Sequence, residues 1–281
     1  MSFLRTSALV DQAGGRFEWR ESAGSTNTEL IALASSLEGS AVHDWPNFSV
    51  IATAHQLAGR GRSGRVWQAP AGTSLATSVL FRPNLAGPTE LNKLGWLPLL
   101  TGLAMSQTVR QILDGSFAPA ASAVGLKWPN DVLVAESKIS GVLSELLPDL
   151  SGVVVGAGIN LTLSREELPV ETATSLVLEG AELPEELDER LDLVLSSYLT
   201  NLQLWYQRWA NAGFDANKSG LRQAVIDRCV SLGRPVRAIL PGDTELVGQA
   251  VTVDDTGRLV LEVGGVATPI AAGDIVHLRH A

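Results

Sequence analysis

The 281-residue chain has one cysteine, Cys229, and only four lysines against 17 arginines. A single thiol excludes an internal disulfide and any zinc site built on several cysteines, and it suits a reducing compartment. The four histidines lack metal-ligand spacing and no Gly-x-Ser-x-Gly elbow occurs, so neither a protein metal site nor serine-hydrolase chemistry is expected. No apolar run approaches the ~18 residues needed to cross a bilayer. The opening stretch MSFLRTSALVDQAG lacks a secretory apolar core and cleavage site. Acidic residues outnumber basic ones 30 to 21, a net charge of −9. Sequence-independent nucleic-acid binding works by neutralising phosphates and would need the opposite balance. The expectation is a globular, cytoplasmic protein with no nucleic-acid or membrane partner.

Against that acidic background one stretch is basic. Gln56 to Trp67, QLAGRGRSGRVW, sets Arg60, Arg62 and Arg65 among Gly59, Gly61 and Gly64. Glycine lets backbone N–H groups approach a ligand closely, and the planar guanidinium fork fits carboxylate and phosphate oxygens. The stretch reads as a mobile loop holding a small anion, with a solvated basic turn as the plainer alternative. It formally contains G-x-G-x-x-G. A dinucleotide site, however, needs a helix next and an acidic residue about 20 positions on. Here Pro70 and Gly72 follow, and no Asp or Glu occurs between Gly64 and Glu90. A kinase would need H-R-D and D-F-G strings, and a nucleotide-binding P-loop its own glycine–lysine pattern. All are missing.

Four further clusters carry polar chemistry. Ser25-Thr26-Asn27 opens a helix over AGSTNTELIALASSL, where Thr26 and Glu29 have capping-box spacing. Capping alone would explain these residues, and ligand binding at the helix start would too. Lys127-Trp128-Pro129-Asn130-Asp131 ends a strand, and Lys138 follows in Ser137-Lys138-Ile139-Ser140-Gly141. Two of four lysines within eleven residues is a concentration, useful beside a phosphoryl group under attack. Gly156-Ala157-Gly158-Ile159-Asn160 closes an apolar strand. It suits either a flat ligand lying on bare backbone, with Asn160 on a base edge, or a β-bulge.

Periodicity fills in the rest. Residues 1–15 carry weak signals and read as loose, and 36–47 as a loop. Strands are expected at Phe17–Arg20, 48–54, 73–81, Val124–Trp128, Val132–Ala135, Lys138–Leu146 and Gly152–Leu161. A helix over Leu91–Leu113 should be distorted or divided near residue 97 by Pro98. The segment 185–209 has apolar residues at helical spacing, with an aromatic stripe that belongs in the core, and a shorter helix spans Gly220–Cys229. From about Ser231, five short β-like runs between Gly/Asp turns suggest a small barrel.

In order and spacing, STN, QxxGRGRxGRxW, KWPND, KISG and GAGIN resemble the biotin–protein ligase family from about residue 17 to 178, and the C-terminal β-region is similar as well. The resemblance implies an α+β fold. A mixed sheet with helices on one face, the class II synthetase-like arrangement, would span residues 1–230, and an SH3-like barrel residues 231–281. It implies two steps: biotin's carboxylate attacks the α-phosphate of ATP with Mg²⁺, releasing pyrophosphate. A lysine of a biotin carboxyl carrier protein then attacks the acyl carbon of biotinyl-5′-AMP. By position, Ser25, Thr26, Asn27 and Gln56 would bind the ureido end. Arg60, Gly61 and Arg62, with Gly59 and Arg65 in the same loop, would close over carboxylate and phosphate. Lys138 would sit at the acyl–phosphate link, and Lys127, with Asn130 beside it, on the nucleotide phosphates. Gly141 would line the biotin pocket, Trp67 would stack on adenine, and Gly158 with Asn160 would touch the nucleotide. Asp131 would orient or deprotonate the incoming lysine. Ser137 departs from the family, where a basic residue often precedes the lysine. About 20 residues precede the STN helix, too few for the winged helix of ligases that repress transcription, so a ligase without DNA binding is expected. Lipoate or octanoate transfer on the same fold and a non-catalytic biotin sensor are the alternatives. Monomer and homodimer are both open.

Overall fold

The computed structural model describes residues 3–35, 44–85, 87–240, 242, 244–271 and 273–278. The expected loop over 36–47 lies largely outside them. Apolar runs form β1 (Phe17–Arg20), β2 (Val50–Thr53), β5 (Ser74–Phe81), β6 (Val124–Lys127), β7 (Asp131–Val134), β8 (Ser137–Leu146) and β9 (Val153–Asn160). These assemble into one sheet in the order β1-β2-β5-β9-β8-β7-β6. Only β1 and β2 are parallel; the other neighbours run antiparallel, so the sheet is mixed. A separate two-stranded ladder, β3 (Gly59–Arg60) with β4 (Val66–Trp67), projects from the arginine stretch.

Side chains alternate across a sheet, and here the two faces carry different cover. Val50, Ala52, Leu75, Val79, Phe81 and Val155 join the main core. It is sealed by α3 (Trp96–Gly115) and α4 (Leu187–Asn211), whose buried Tyr198, Leu202, Trp205 and Trp209 are the expected aromatic stripe. Full burial of each such side chain contributes roughly 1.5–3 kcal/mol, so this face fixes the fold. On the opposite face Ile51, Leu80 and Val154 form a smaller cluster with Leu30 and Ala34 of α2 (Thr26–Ala34), Trp45 and Leu147, against which Ile31 and Leu33 also pack. The remainder of that face is left to the site.

Two local expectations are corrected and a third is sharpened. Residues 4–12 are not loose but form α1 (Leu4–Gln12). Its start is capped from a distance: the buried Asp192 of α4 accepts the N–H groups of Arg5 and Thr6 and the Thr6 hydroxyl, at 2.7–3.1 Å. The helix expected from Leu91 is divided, between Gly95 and Trp96 and not at 97: a 3-10 segment covers Pro88–Gly95 and α3 begins at Trp96, two residues ahead of Pro98. The proline falls in the first turn, where its missing N–H would have had no helical partner. The capping box does not form either. Ser25 takes the cap position without a side-chain bond, and Glu29 accepts from the Gly24 N–H at 3.0 Å. Thr26 is engaged elsewhere, as described below.

After α5 (Leu221–Arg228), strands β10 (Pro235–Ile239), β11 (Glu245–Val253), β12 (Leu259–Val263), β13 (Val266–Ile270) and β14 (Asp274–His277) form an antiparallel sheet in the order β13-β12-β11-β10-β14. Two tryptophans, one from α3 and one just after β6, moor it to the rest of the molecule. The Trp96 indole donates to the Asp255 carbonyl and that of Trp128 to the Gly257 carbonyl, each at 2.9 Å.

Candidate active site

On the face spared by the long helices, the central strands carry unusually small residues. Register places Ser78 beside Gly156, and Ala76, Gly158 and Gly141 in one row across β5, β9 and β8. That row is a flat bed of backbone, and each glycine in the region has a polar or aromatic side chain pressed against it. A Cβ at Gly156 would collide with the Asn27 amide, and one at Gly158 would lie 2.6 Å from the Trp67 ring. At Gly141 it would sit 3.0 Å from Lys138 Nζ. Gly156 and Gly158 are therefore required by close approach, not by backbone angle, whereas the Lys138 tip could yield to a side chain at Gly141.

At one end of the bed Thr26 and Asn27 are buried at the start of α2. Ser78 Oγ lies 2.6 Å from Asn27 Oδ1 and 2.7 Å from Thr26 Oγ1. With one hydrogen to give, it donates to the amide oxygen and accepts from Thr26. Asn27 Nδ2 donates to the Leu143 carbonyl at 3.1 Å and to Glu145 Oε2 at 2.7 Å. Gln56 Oε1 accepts the Thr26 N–H at 3.0 Å, tying the strand end before the arginine loop to the helix start. This floor is a connected network, in which the Thr26 hydroxyl also lies 3.3 Å from Gln56 Oε1.

At the other end Lys138 Nζ and Asp131 Oδ1 form an ion pair of 2.6 Å across β7 and β8. Lys127 stands at the end of β6, opposite Asp131 in the register. Burial pushes its ammonium below the ordinary lysine range, Asp131 opposes that shift, and Lys138 adds to it. Asn130 uses its amide N–H on the Val142 carbonyl at 2.9 Å and offers its oxygen to Arg62 at 3.1 Å. The arginine loop folds back between β3 and β4 through a tight turn, with Ser63 and Gly64 both left-handed at φ 55° and 72°. Arg60 donates to Thr28 Oγ1 at 2.8 Å and Glu145 Oε1 at 3.3 Å. Arg62 reaches the C-terminal sheet, donating to the Gly273 carbonyl at 3.1 Å, and Arg65 pairs with Asp274. Burial lowers the Arg62 guanidinium below its usual value, opposed by Asp274 and Asp131.

A cavity of about 1220 Å³ joins these parts. Of the candidates read from sequence, Ser25, Thr26, Asn27, Gln56, Arg60, Gly61, Arg62, Arg65, Trp67, Lys127, Asn130, Asp131, Lys138, Gly141, Gly158 and Asn160 all line it. Gly59 stands just behind, where a Cβ would strike the Gln56 amide. One amide N–H of Asn160 is committed to the Thr174 carbonyl at 2.8 Å, which leaves its oxygen and its second N–H for a ligand. Sequence reasoning missed Ser78, Glu145, Asp274 and His277. Only Ser78 left a signal, as one of three hydroxyl residues, with Ser74 and Thr77, among the apolar side chains of β5.

Residues 21–160 match the family model described as "Biotin/lipoate A/B protein ligase family", and residues 231–278 the one described as "Biotin protein ligase C terminal domain". The biotin--[acetyl-CoA-carboxylase] ligase of Mycobacterium tuberculosis is 36% identical over 282 residues, spanning 98% of this chain and 96% of that protein. The chain belongs to the biotin protein ligase family. The bifunctional ligase/repressor BirA of Escherichia coli is 31% identical over 224 residues, which cover 79% of this chain and 64% of that protein. Among solved structures of the family, the biotin protein ligase of Aquifex aeolicus in complex with biotin and ATP superposes with a TM-score of 0.68 at 26% identity, covering 94% of this chain and 99% of that one. Family membership gives the cavity a context: a bed with a hydrogen-bonding floor at one end and clustered cations at the other.

Proposed function

We infer that the protein ligates biotin to a lysine of a biotin carboxyl carrier protein in two ATP-dependent steps through biotinyl-5′-AMP. The observation that carries this reading is the continuity of one cavity from a neutral, hydrogen-bonding floor to a cluster of cations. Small-molecule sites usually measure about 300–1,000 Å³, so about 1220 Å³ accommodates two substrates end to end. No step requires a protein nucleophile. The chemistry needs charge stabilisation at phosphorus and exclusion of water from a mixed anhydride.

We assign the floor to the ureido ring. Both Asn27 N–H donors are already used, so the second lone pair of its oxygen, beside the Ser78 bond, is what it offers a ligand N–H, and a lipoyl dithiolane ring has no N–H to give it. Biotin's carboxylate then attacks the α-phosphorus and the bond to pyrophosphate breaks. Arg62 and Lys127, both held poorly solvated, would take up the phosphate charge in place of lost water. Lys138 would stabilise the carboxylate oxygen that becomes the acyl–phosphate bridge. Asp131, paired with Lys138, would receive the proton of the carrier lysine as its amine attacks the acyl carbon and AMP leaves. Trp67 is assigned to adenine and Asn160 to its edge. The described residues contain no cluster of three His, Cys, Asp or Glu suited to hold a metal, so we assign Mg²⁺ to the phosphates of ATP. We place the domain boundary at residues 230 and 231, the site of action in the cytoplasm, and no nucleic acid among the partners of so acidic a chain. Incubation with biotin, ATP, Mg²⁺ and a carrier domain should add one biotinyl mass to one carrier lysine. Transfer of lipoate in preference to biotin would overturn the assignment.

A further inference from the structure

Glu145 stands on β8, on the same strand as Gly141 and outside every motif that marks the family. Its two carboxylate oxygens have different partners. Oε2 accepts from the Asn27 amide at 2.7 Å, and Oε1 accepts from the Arg60 guanidinium at 3.3 Å. The other Asn27 N–H goes to the Leu143 carbonyl. A carboxylate and a carbonyl have no hydrogen to give, so the amide has one permitted orientation, nitrogen towards β8 and oxygen towards Ser78. Glu145 thus sets which atom of Asn27 the pocket presents, and it also holds the first arginine of the loop.

We propose that Glu145 is a positioning residue that couples the floor of the pocket to the arginine loop, one oxygen fixing the Asn27 amide and the other anchoring Arg60. The inference rests on the ligase reading above and deepens it. A ligand N–H donating to Asn27 Oδ1 polarises the amide and strengthens its N–H bond to Glu145, and the same carboxylate then holds Arg60 while the rest of the loop closes. Without Glu145 only the Leu143 carbonyl and Ser78 oppose a flip of the amide that would present N–H to N–H.

The coupling is tested on the full chain with Glu145→Gln, Glu145→Ala, Arg60→Ala and the double variant Glu145→Gln/Arg60→Ala. Biotin affinity is read by calorimetry and adenylate retention by the dissociation rate of preformed biotinyl-5′-AMP. Glutamine keeps a carbonyl for Asn27 but turns an amide against Arg60. Glu145→Gln should therefore bind biotin within about threefold of wild type, and it should release the adenylate about three- to tenfold faster. Arg60→Ala should release it equally fast, and the double variant no faster than either single change. Glu145→Ala should weaken biotin about tenfold. Should this variant fail to fold, the glutamine and Arg60 variants decide alone. Wild-type adenylate retention in Glu145→Gln, or single effects that multiply in the double variant, would overturn the coupling. A wild-type protein that binds no biotin would instead remove the ligase reading, and the coupling with it.

Discussion

At the floor of the cavity, Thr26, Asn27 and Ser78 are buried and joined by neutral hydrogen bonds inside the main sheet. At its mouth, Arg62 and Arg65 are held from across the molecule by Gly273 and Asp274, with Arg65 well exposed. The two ends therefore resist change differently. Removing one member of the floor leaves a buried group unpaired, at about 1–3 kcal/mol. An exposed ion pair such as Arg65 with Asp274 contributes only about 0.2–1 kcal/mol. An incoming anion can displace the second kind of contact cheaply but not the first. The floor is thus pre-organised for recognition, and the mouth is built to exchange partners.

The sharpest break in this contrast should come at Lys138, which belongs to the mouth by charge but is fixed to the sheet by Asp131. Lys138→Ala should slow biotin-dependent pyrophosphate release about 100-fold or more, the scale of losing one preorganised donor in a transition state. Its biotin affinity, set at the floor, should shift less than about threefold. Pyrophosphate release at the wild-type rate would remove Lys138 from the reaction centre.

Next in size is Arg62→Ala. Loss of a charge-assisted contact to phosphate should speed adenylate escape about tenfold or more. The loop contributes no side chain to either core cluster, so the melting temperature should fall by less than about 3 °C. A fall of tens of degrees would make the loop a structural element and erase the distinction between the two ends. Ser78→Ala tests the floor from the other side. It leaves Asn27 Oδ1 and Thr26 Oγ1 without their shared hydroxyl, and biotin should bind about fivefold more weakly while the adenylate rate at saturating biotin is kept. An unchanged dissociation constant would show that the network does not orient the ligand.

The same contrast explains which parts of the molecule were legible in the sequence. Motifs that act within a few residues, the Arg–Gly loop, Lys127 to Asp131, and Gly156 to Asn160, announced themselves because their chemistry is local. Strand positions were legible for the same reason: the apolar runs are short and punctuated. What stayed hidden depends on partners far along the chain. Asp192 caps a helix whose residues lie 186 positions away, so α1 looked loose. Glu145 meets Asn27 at a separation of 118, and nothing near Glu145 marks it. Asp274 lies 209 residues from Arg65 and reads locally as the first residue of a short β-like run. Trp128 reads as part of the Pro-Asn-Asp cluster, whereas its indole N–H moors the C-terminal sheet. Pro98 marks a real helix boundary, and its place in the first turn makes it the start of α3 and not a break in mid-helix.

The smallest expected effect lies at the mouth and concerns pH. His277 on β14 lines the cavity with its ring only 10% exposed, bonded to Ser231 Oγ at 3.0 Å. Burial lowers its pKa below the ordinary 6.5, Lys127 and Arg234 add to this, and Glu136 opposes it. The sign follows from proton binding. Above the ordinary value the ring is neutral in both the folded and unfolded chain, and no penalty exists. As pH falls through that value the unfolded chain takes up the proton first, so stability declines until the folded ring is protonated as well. Thermal melts between pH 8 and pH 5 should therefore show a loss of stability on acidification that is smaller in His277→Gln, by about 1–3 °C in melting temperature at the acid end. The floor, held by neutral groups around one carboxylate, should contribute nothing to that difference, so biotin affinity should vary with pH identically in both proteins. Parallel melting curves would show that the His277 ring does not titrate differently on folding, and the mouth would then owe its exchangeability to the arginines alone.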